Sequence, residues 1–290
     1  GKAWIALDIA YIVLAWIVIA VIGAAAATIL EDMVGIPFIV GAALIIAIVG
    51  LLHFFGRKAM ESFWVVGTVG LYIMYVVIWA LTLSLYGGRS LANISAGATQ
   101  GSLTDALIDG FRYTLYNLCV VIPVLSHLDR LRDTKDSTIS SLIAITLVYG
   151  AAFVIWLCFM AFYPEIIKWP VPWYEILKRV SPWALGLYVF WIFYTLVETG
   201  LGMVHGIVRR IDAQLRTFGK QMTRLHEAII AAVILAVSIV TAQVGIVALV
   251  AKGYGTMAWI FFVVYFVPIV TVGIYRIRQA TTKAVGAPSS

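Results

Sequence analysis

The chain has 290 residues, 63% of them hydrophobic and 12% charged, with a formal net charge of +6 and a mean hydropathy of +1.02. A water-soluble domain is about 45–50% apolar and about a quarter charged, so an aqueous globule is excluded and a polytopic membrane protein is indicated. The apolar runs are long and continuous, which excludes the short alternating strands of a membrane barrel and leaves an all-α helix bundle.

A spanning helix needs about 20 mostly apolar residues. Eight segments qualify: 3–30, 34–55, 60–86, 103–127, 138–163, 182–208, 227–250 and 256–278. Glu31 and Asp32 close the first. Gly35-Ile36-Pro37 opens the second, since Pro is tolerated in a first turn. Residues 87–102, GGRSLANISAGATQGS, read as a polar, flexible loop. Asp136-Ser137-Thr138 can cap the fifth segment and Ser181-Pro182 the sixth. Between them, residues 164–182 hold prolines and a short amphipathic piece, Trp173 to Val180, that suits the membrane interface. The two cysteines, Cys119 and Cys158, fall inside apolar runs and read as small buried hydrophobes.

Eight spans place both termini on one side. That side holds 14 of the 20 Lys and Arg, so both termini of this multi-pass protein are expected to be cytoplasmic. The basic stretch RRIDAQLRTFGKQMTR (209–224) is then expected to be a cytoplasmic loop near anionic lipid, and no nucleic-acid role is expected. The expected partners are the bilayer and a small solute, with a homo-oligomer or another membrane subunit as a further expectation. No nucleotide-binding loop, Ser/His/Asp order or HExxH pair occurs. Neither enzyme activity nor a metal centre is expected, and the only cofactor expected is a coupling ion, H+ or Na+.

The sixth segment contains Glu198 near its middle. An ionisable residue at that depth costs roughly 2.5–3.5 kcal/mol on insertion scales and usually faces a cavity or a partner. At helical spacing, Thr195, Glu198, Thr199, Gly202, His205 and Gly206 share one broad stripe, opposite Val189, Phe193, Leu196, Leu201 and Val204. This predicts that the stripe points into the bundle. Gly202 and Gly206 form a GxxxG that permits close helix contact. In the fourth segment, Tyr113, Tyr116 and Asn117 precede Pro123, which removes a backbone hydrogen bond. Such breaks in transporters expose carbonyls that bind ions and substrates. Asp8, Thr241, Gln243, Tyr265 and Pro268 are weaker candidates. His53 and His127 read as solvated helix ends.

The runs YTLYNLCVVIPVL (113–125), ETGLGMVHGIVRRID (198–212) and GAAAATILEDMVGIPFIVGAALI (23–45) resemble the YkvI family of bacterial membrane proteins, along essentially the whole chain. That family belongs to the amino acid–polyamine–organocation superfamily. The resemblance implies a LeuT-type fold of two inverted five-helix repeats, here lacking its first two helices, as the absent Met also suggests. Residues 1–86 would be the partial first repeat, 87–102 an extracytoplasmic loop, 103–278 the second repeat and 279–290 a flexible tail. The fourth segment would be the broken sixth helix of the fold, with Pro123 at the break and Tyr113, Tyr116 and Asn117 at the substrate. The sixth segment would be the eighth helix, which offers hydroxyl ligands to the ion in sodium-coupled members; Thr199 is the candidate here, with Thr195 nearby. The first-helix ligands of such a site have no counterpart here, and Glu198 suggests protons instead. The expected function is a secondary active transporter for a small organic solute, an amino acid for example, coupled to H+ or Na+. The alternative is a non-transporting membrane subunit or assembly module, in which Glu198 is structural and the glycine stripe mediates contact.

Overall fold

A computed structural model of the protein describes residues 4–54, 57–98, 101–118 and 133–285. All of the regular structure among these residues is helical. The helices are α1 (Trp4–Val34), α2 (Phe38–His53), α3 (Arg57–Ser95), α4 (Leu103–Asn117), α5 (Thr134–Met160), α6 (Pro172–Val180), α7 (Pro182–Thr217) and α8 (Arg224–Ala242). The last, α9, is a continuous helical run over 246–285 with three π stretches, Leu249–Tyr254, Phe262–Phe266 and Ile269–Gly273. Among the described residues, six helices are long and apolar enough to cross a membrane: α1, α3 from Phe63, α5, α7, α8 and α9 to Gln279. At 1.5 Å per residue the 16 residues of α2 reach about 24 Å, short of a hydrocarbon core of about 30 Å.

Helix ends follow local chemistry. Gly35 has φ 68°, and its N–H bonds to the Glu31 carbonyl at 3.1 Å. This left-handed cap ends α1 three residues beyond the acidic pair. Pro37 then precedes α2, and Pro182 occupies the first turn of α7. The start of α5 is capped by Asp133, whose side chain accepts from the Asp136 N–H at 2.8 Å. The cap therefore lies three residues before the Asp136-Ser137-Thr138 run.

Three boundaries differ from the sequence reading. The polar stretch 87–102 is not a loop throughout, because α3 runs through it to Ser95. Side chains there reach another helix: Ser90 Oγ donates to the Leu157 carbonyl at 2.6 Å and Asn93 Nδ2 to that of Met160 at 2.8 Å. These bonds to α5 outweigh the poor helix propensity of Gly87 and Gly88. The predicted seventh span, 227–250, is interrupted at Gly245, whose φ of 86° ends α8 and starts α9. The tail 279–290 is helical as far as Val285, since no Gly or Pro occurs before Gly286.

Two packed clusters form the interior. One gathers α1, α2, α8, α9 and the second half of α7, around Tyr11, Leu14, Ile46, Val49, Leu201 and Val204. The other joins α3, α5, α6 and the first half of α7, around Met74, Phe162, Ile176, Leu177 and Tyr188. The 36-residue α7 thus ties the clusters together. Lipid tails are as apolar as these side chains, so close packing rather than water exclusion holds such helices. The glycine and alanine run 23–27 of α1 provides it: Gly23 abuts Ile46 and Gly41 abuts Ala27. The amphipathic α6 lays Trp173, Tyr174, Ile176 and Leu177 into the second cluster. By contrast α5 buries only Cys158 and Met160 and leaves most of its apolar length exposed. Cys119 lies outside the described residues.

Candidate functional site

Glu198 sits where α7 crosses α3. Its carboxylate lies against Gly67, where a methyl group would collide with it, and Trp191 fills the space beside Gly70 one turn on. Both glycines are buried. Tyr194 lies flat on Phe63, with centroids 3.9 Å apart, and its hydroxyl donates to the Phe63 carbonyl at 2.9 Å. Trp64 Nε1 reaches the backbone carbonyl of Glu198 at 3.4 Å. The carboxylate itself has no hydrogen bond or ion pair among the described residues. It is half-buried in a helix long enough to span.

The rest of the stripe is also half-buried rather than central. The face of α7 that enters the core carries Val197, Gly200, Leu201, Val204, Ile207 and Val208. Apolar residues at three- and four-residue spacing take the deepest position, and the polar stripe flanks it. Thr195 Oγ1 donates back to the Trp191 carbonyl at 2.9 Å. Thr199, half-buried, is beside Glu198. The GxxxG pair divides: Gly206 is in tight contact with the Tyr11 hydroxyl of α1, whereas a Cβ on Gly202 would meet nothing within 4 Å. The second close contact of α7 is made by Gly200, against Val49 of α2.

In α4, Tyr113 and Tyr116 have ring centroids 5.5 Å apart, and Tyr116 lies 5.0 Å from Tyr254 in the first π stretch of α9. Tyr116 is half-buried against the first cluster. Asn117 is exposed and donates to the Tyr113 carbonyl of its own helix at 2.7 Å. Pro123 and His127 lie outside the described residues. Of the weaker candidates, Thr241 bonds within its own helix to the Val237 carbonyl, Gln243 caps α8 and Tyr265 packs on the first cluster. Neither of the two clefts described below is lined by Glu198 or Asn117.

Two polar clusters join distant parts of the sequence. Asp8, only 5% exposed, is ion-paired with Arg210 and accepts from Gln214 Nε2 at 2.8 Å. With Ile12 and Phe218 they line a cleft of about 150 Å³ between α1 and α7. Arg210 is therefore helical and engaged rather than part of a loop. The second cluster joins α2, α7 and α8: His53 Nε2 is 3.4 Å from Glu227, and the His53 and His205 rings are 6.2 Å apart. His53 is buried, not solvated. The four-residue step from Arg210 to Gln214 puts both on one helix face, a legible signal, but nothing in the sequence ties that face to Asp8. Among the described residues no group of three His, Cys, Asp or Glu is arranged to hold a metal ion.

Comparison with protein-family models, with curated proteins and with solved structures finds no match to this chain.

Proposed function

We propose that this helical membrane protein is a secondary transporter for a small organic solute, with an amino acid as the leading class, driven by H+ or Na+. One observation carries the reading. Within the membrane-length helices, the buried Asp8 is ion-paired with Arg210, whereas Glu198 has no basic partner among the described residues. An unpaired carboxylate in hydrocarbon is expensive, and a proton or a cation removes that expense. Glu198 is then the coupling residue, with Thr199 and Thr195 beside it. Tyr113, Tyr116 and Asn117 contact the solute on α4. The π stretch of α9 that meets Tyr116 supports the assignment, because such irregularities gather at functional sites. The resemblance of 113–125 and 198–212 to the YkvI family points the same way, toward eight spans of a LeuT-type bundle with both termini cytoplasmic in a bacterial inner membrane.

A second reading is favoured by the contact of Glu198 with Gly67. A carboxyl held in a packed seam also suits a non-transporting membrane subunit. The two separate in proteoliposomes. Transport predicts that some member of an amino acid panel drives proton or sodium uptake. The absence of uptake from folded protein that co-purifies with another membrane protein favours the subunit.

A further inference from the structure

The cleft between α4 and α9 is an open groove of about 780 Å³, within the usual span of ligand sites, about 300–1,000 Å³. None of its lining residues belongs to α3 or α7, so it is separate from the Glu198 seam. Its lining is polarised. Arg112 from α4 and Lys252 from α9 supply two cations, and the guanidinium lies over Trp259 at 5.6 Å. Ile260, Val263 and Val264 continue the cleft along α9. From Lys252 to Val264 the helix rises about 18 Å, comparable to an acyl chain.

The cations are poorly neutralised. Lys252 has no ion pair among the described residues. Arg112 Nη1 meets Asp109 of its own helix at 3.3 Å, and that carboxylate is 73% exposed. Arg112 Nε is buried with no hydrogen-bond partner. Lys252 sits in the π stretch Leu249–Tyr254. A Cβ on Gly255 would meet nothing within 4 Å, so the floor of the cleft is open. Val263, at its apolar end, is 63% exposed on a membrane-length helix, where an occupant stays in contact with the bilayer.

We propose that this cleft binds an anionic phospholipid, with its phosphate on Arg112 and Lys252 and an acyl chain along Ile260, Val263 and Val264. Two cations beside an apolar wall match the phosphate and acyl chain of such a lipid, the pairing that basic pockets between spanning helices offer to head groups on the cytoplasmic side, here at the opposite face, and the apolar continuation distinguishes a lipid from a soluble anion. The test is native mass spectrometry of the purified chain titrated with phosphatidylglycerol, phosphatidylcholine or inorganic phosphate. Phosphatidylglycerol is expected to be retained over phosphatidylcholine, and millimolar phosphate not to displace it. Arg112→Gln and Lys252→Gln should each weaken retention about fivefold. Gly255→Leu, which keeps both cations and should keep the lipid-free melting temperature, should block it. Equal retention of both lipids would overturn the proposal, as would retention unchanged in Gly255→Leu and Arg112→Gln. Displacement by phosphate alone would assign the cations to a soluble anion and overturn the lipid assignment.

Discussion

Removing Arg210 should destabilise the bundle more than removing Asp8, although the two form one ion pair. The asymmetry comes from burial. The Asp8 side chain is 7% exposed and that of Arg210 is 31% exposed. Arg210→Leu strands a carboxylate with only Gln214 to donate to it. Breaking a buried pair by removing one partner costs about 3–5 kcal/mol, and the lower figure is expected here because the Gln214 bond remains. Asp8→Leu strands a guanidinium that can swing its long stem toward water, so a cost of about 1–2 kcal/mol is expected. The double variant Asp8→Leu/Arg210→Leu leaves no stranded charge and should recover part of the Arg210→Leu loss, as apolar replacements of buried pairs do. Thermal unfolding of all four proteins in one detergent reads the order: wild type, Asp8→Leu, then Arg210→Leu, with the double variant above Arg210→Leu. An Asp8→Leu loss equal to or larger than that of Arg210→Leu, or a double variant no better than Arg210→Leu, would refute the reasoning.

Other contacts give further expectations. Gly202→Ala should stabilise by about 0.5–1 kcal/mol through helix propensity, because the added methyl meets nothing, whereas Gly206→Ala should destabilise by forcing the buried Tyr11 hydroxyl aside; a melting comparison of the two decides. Ser90→Ala should cost about 1 kcal/mol and speed amide exchange at the end of α5, because Ser90 bonds the Leu157 carbonyl. The contact of α6 with α1 should weaken in alkali. Lys178 is held above its ordinary 10.5 by its bond to Asp32, and burial together with the same carboxylate raises Tyr174 above 10.0. Groups raised in the folded state contribute stability that is complete below those ordinary values and lost as pH rises through the raised ones. With Lys178 38% exposed the effect stays at or below about 1 kcal/mol. Lys178→Met should remove the lysine share of this alkaline loss, read from melting temperature between pH 8 and 11.

Much of the frame is legible in the sequence because it depends on local chemistry. Long apolar runs fix the membrane class, and Pro37 and Pro182 mark starts that the helices use. The failures occur where a distant partner decides. Residues 87–95 have loop composition, yet Ser90 and Asn93 reach α5 and extend α3. The GxxxG spacing does not reveal which glycine meets a neighbour, and only Gly206 does. The stripe through Glu198 is correctly polar but borders the core, because the stronger apolar pattern from Val197 to Val208 takes the interior. Asp8 and Arg210 are 202 residues apart in sequence, a separation that periodicity cannot bridge.

The central claim is that Glu198 couples solute movement to an ion. With the solute that drives uptake in hand, Glu198→Gln should be compared with wild type in two modes, gradient-driven accumulation and solute exchange without a gradient. The account predicts that the variant, folded with an unchanged melting temperature, loses accumulation and keeps exchange. It also predicts that Gly67→Ala, which displaces the carboxylate, impairs accumulation in the same way. Accumulation unchanged in Glu198→Gln would contradict the account and leave this carboxyl a structural group of the α3–α7 seam.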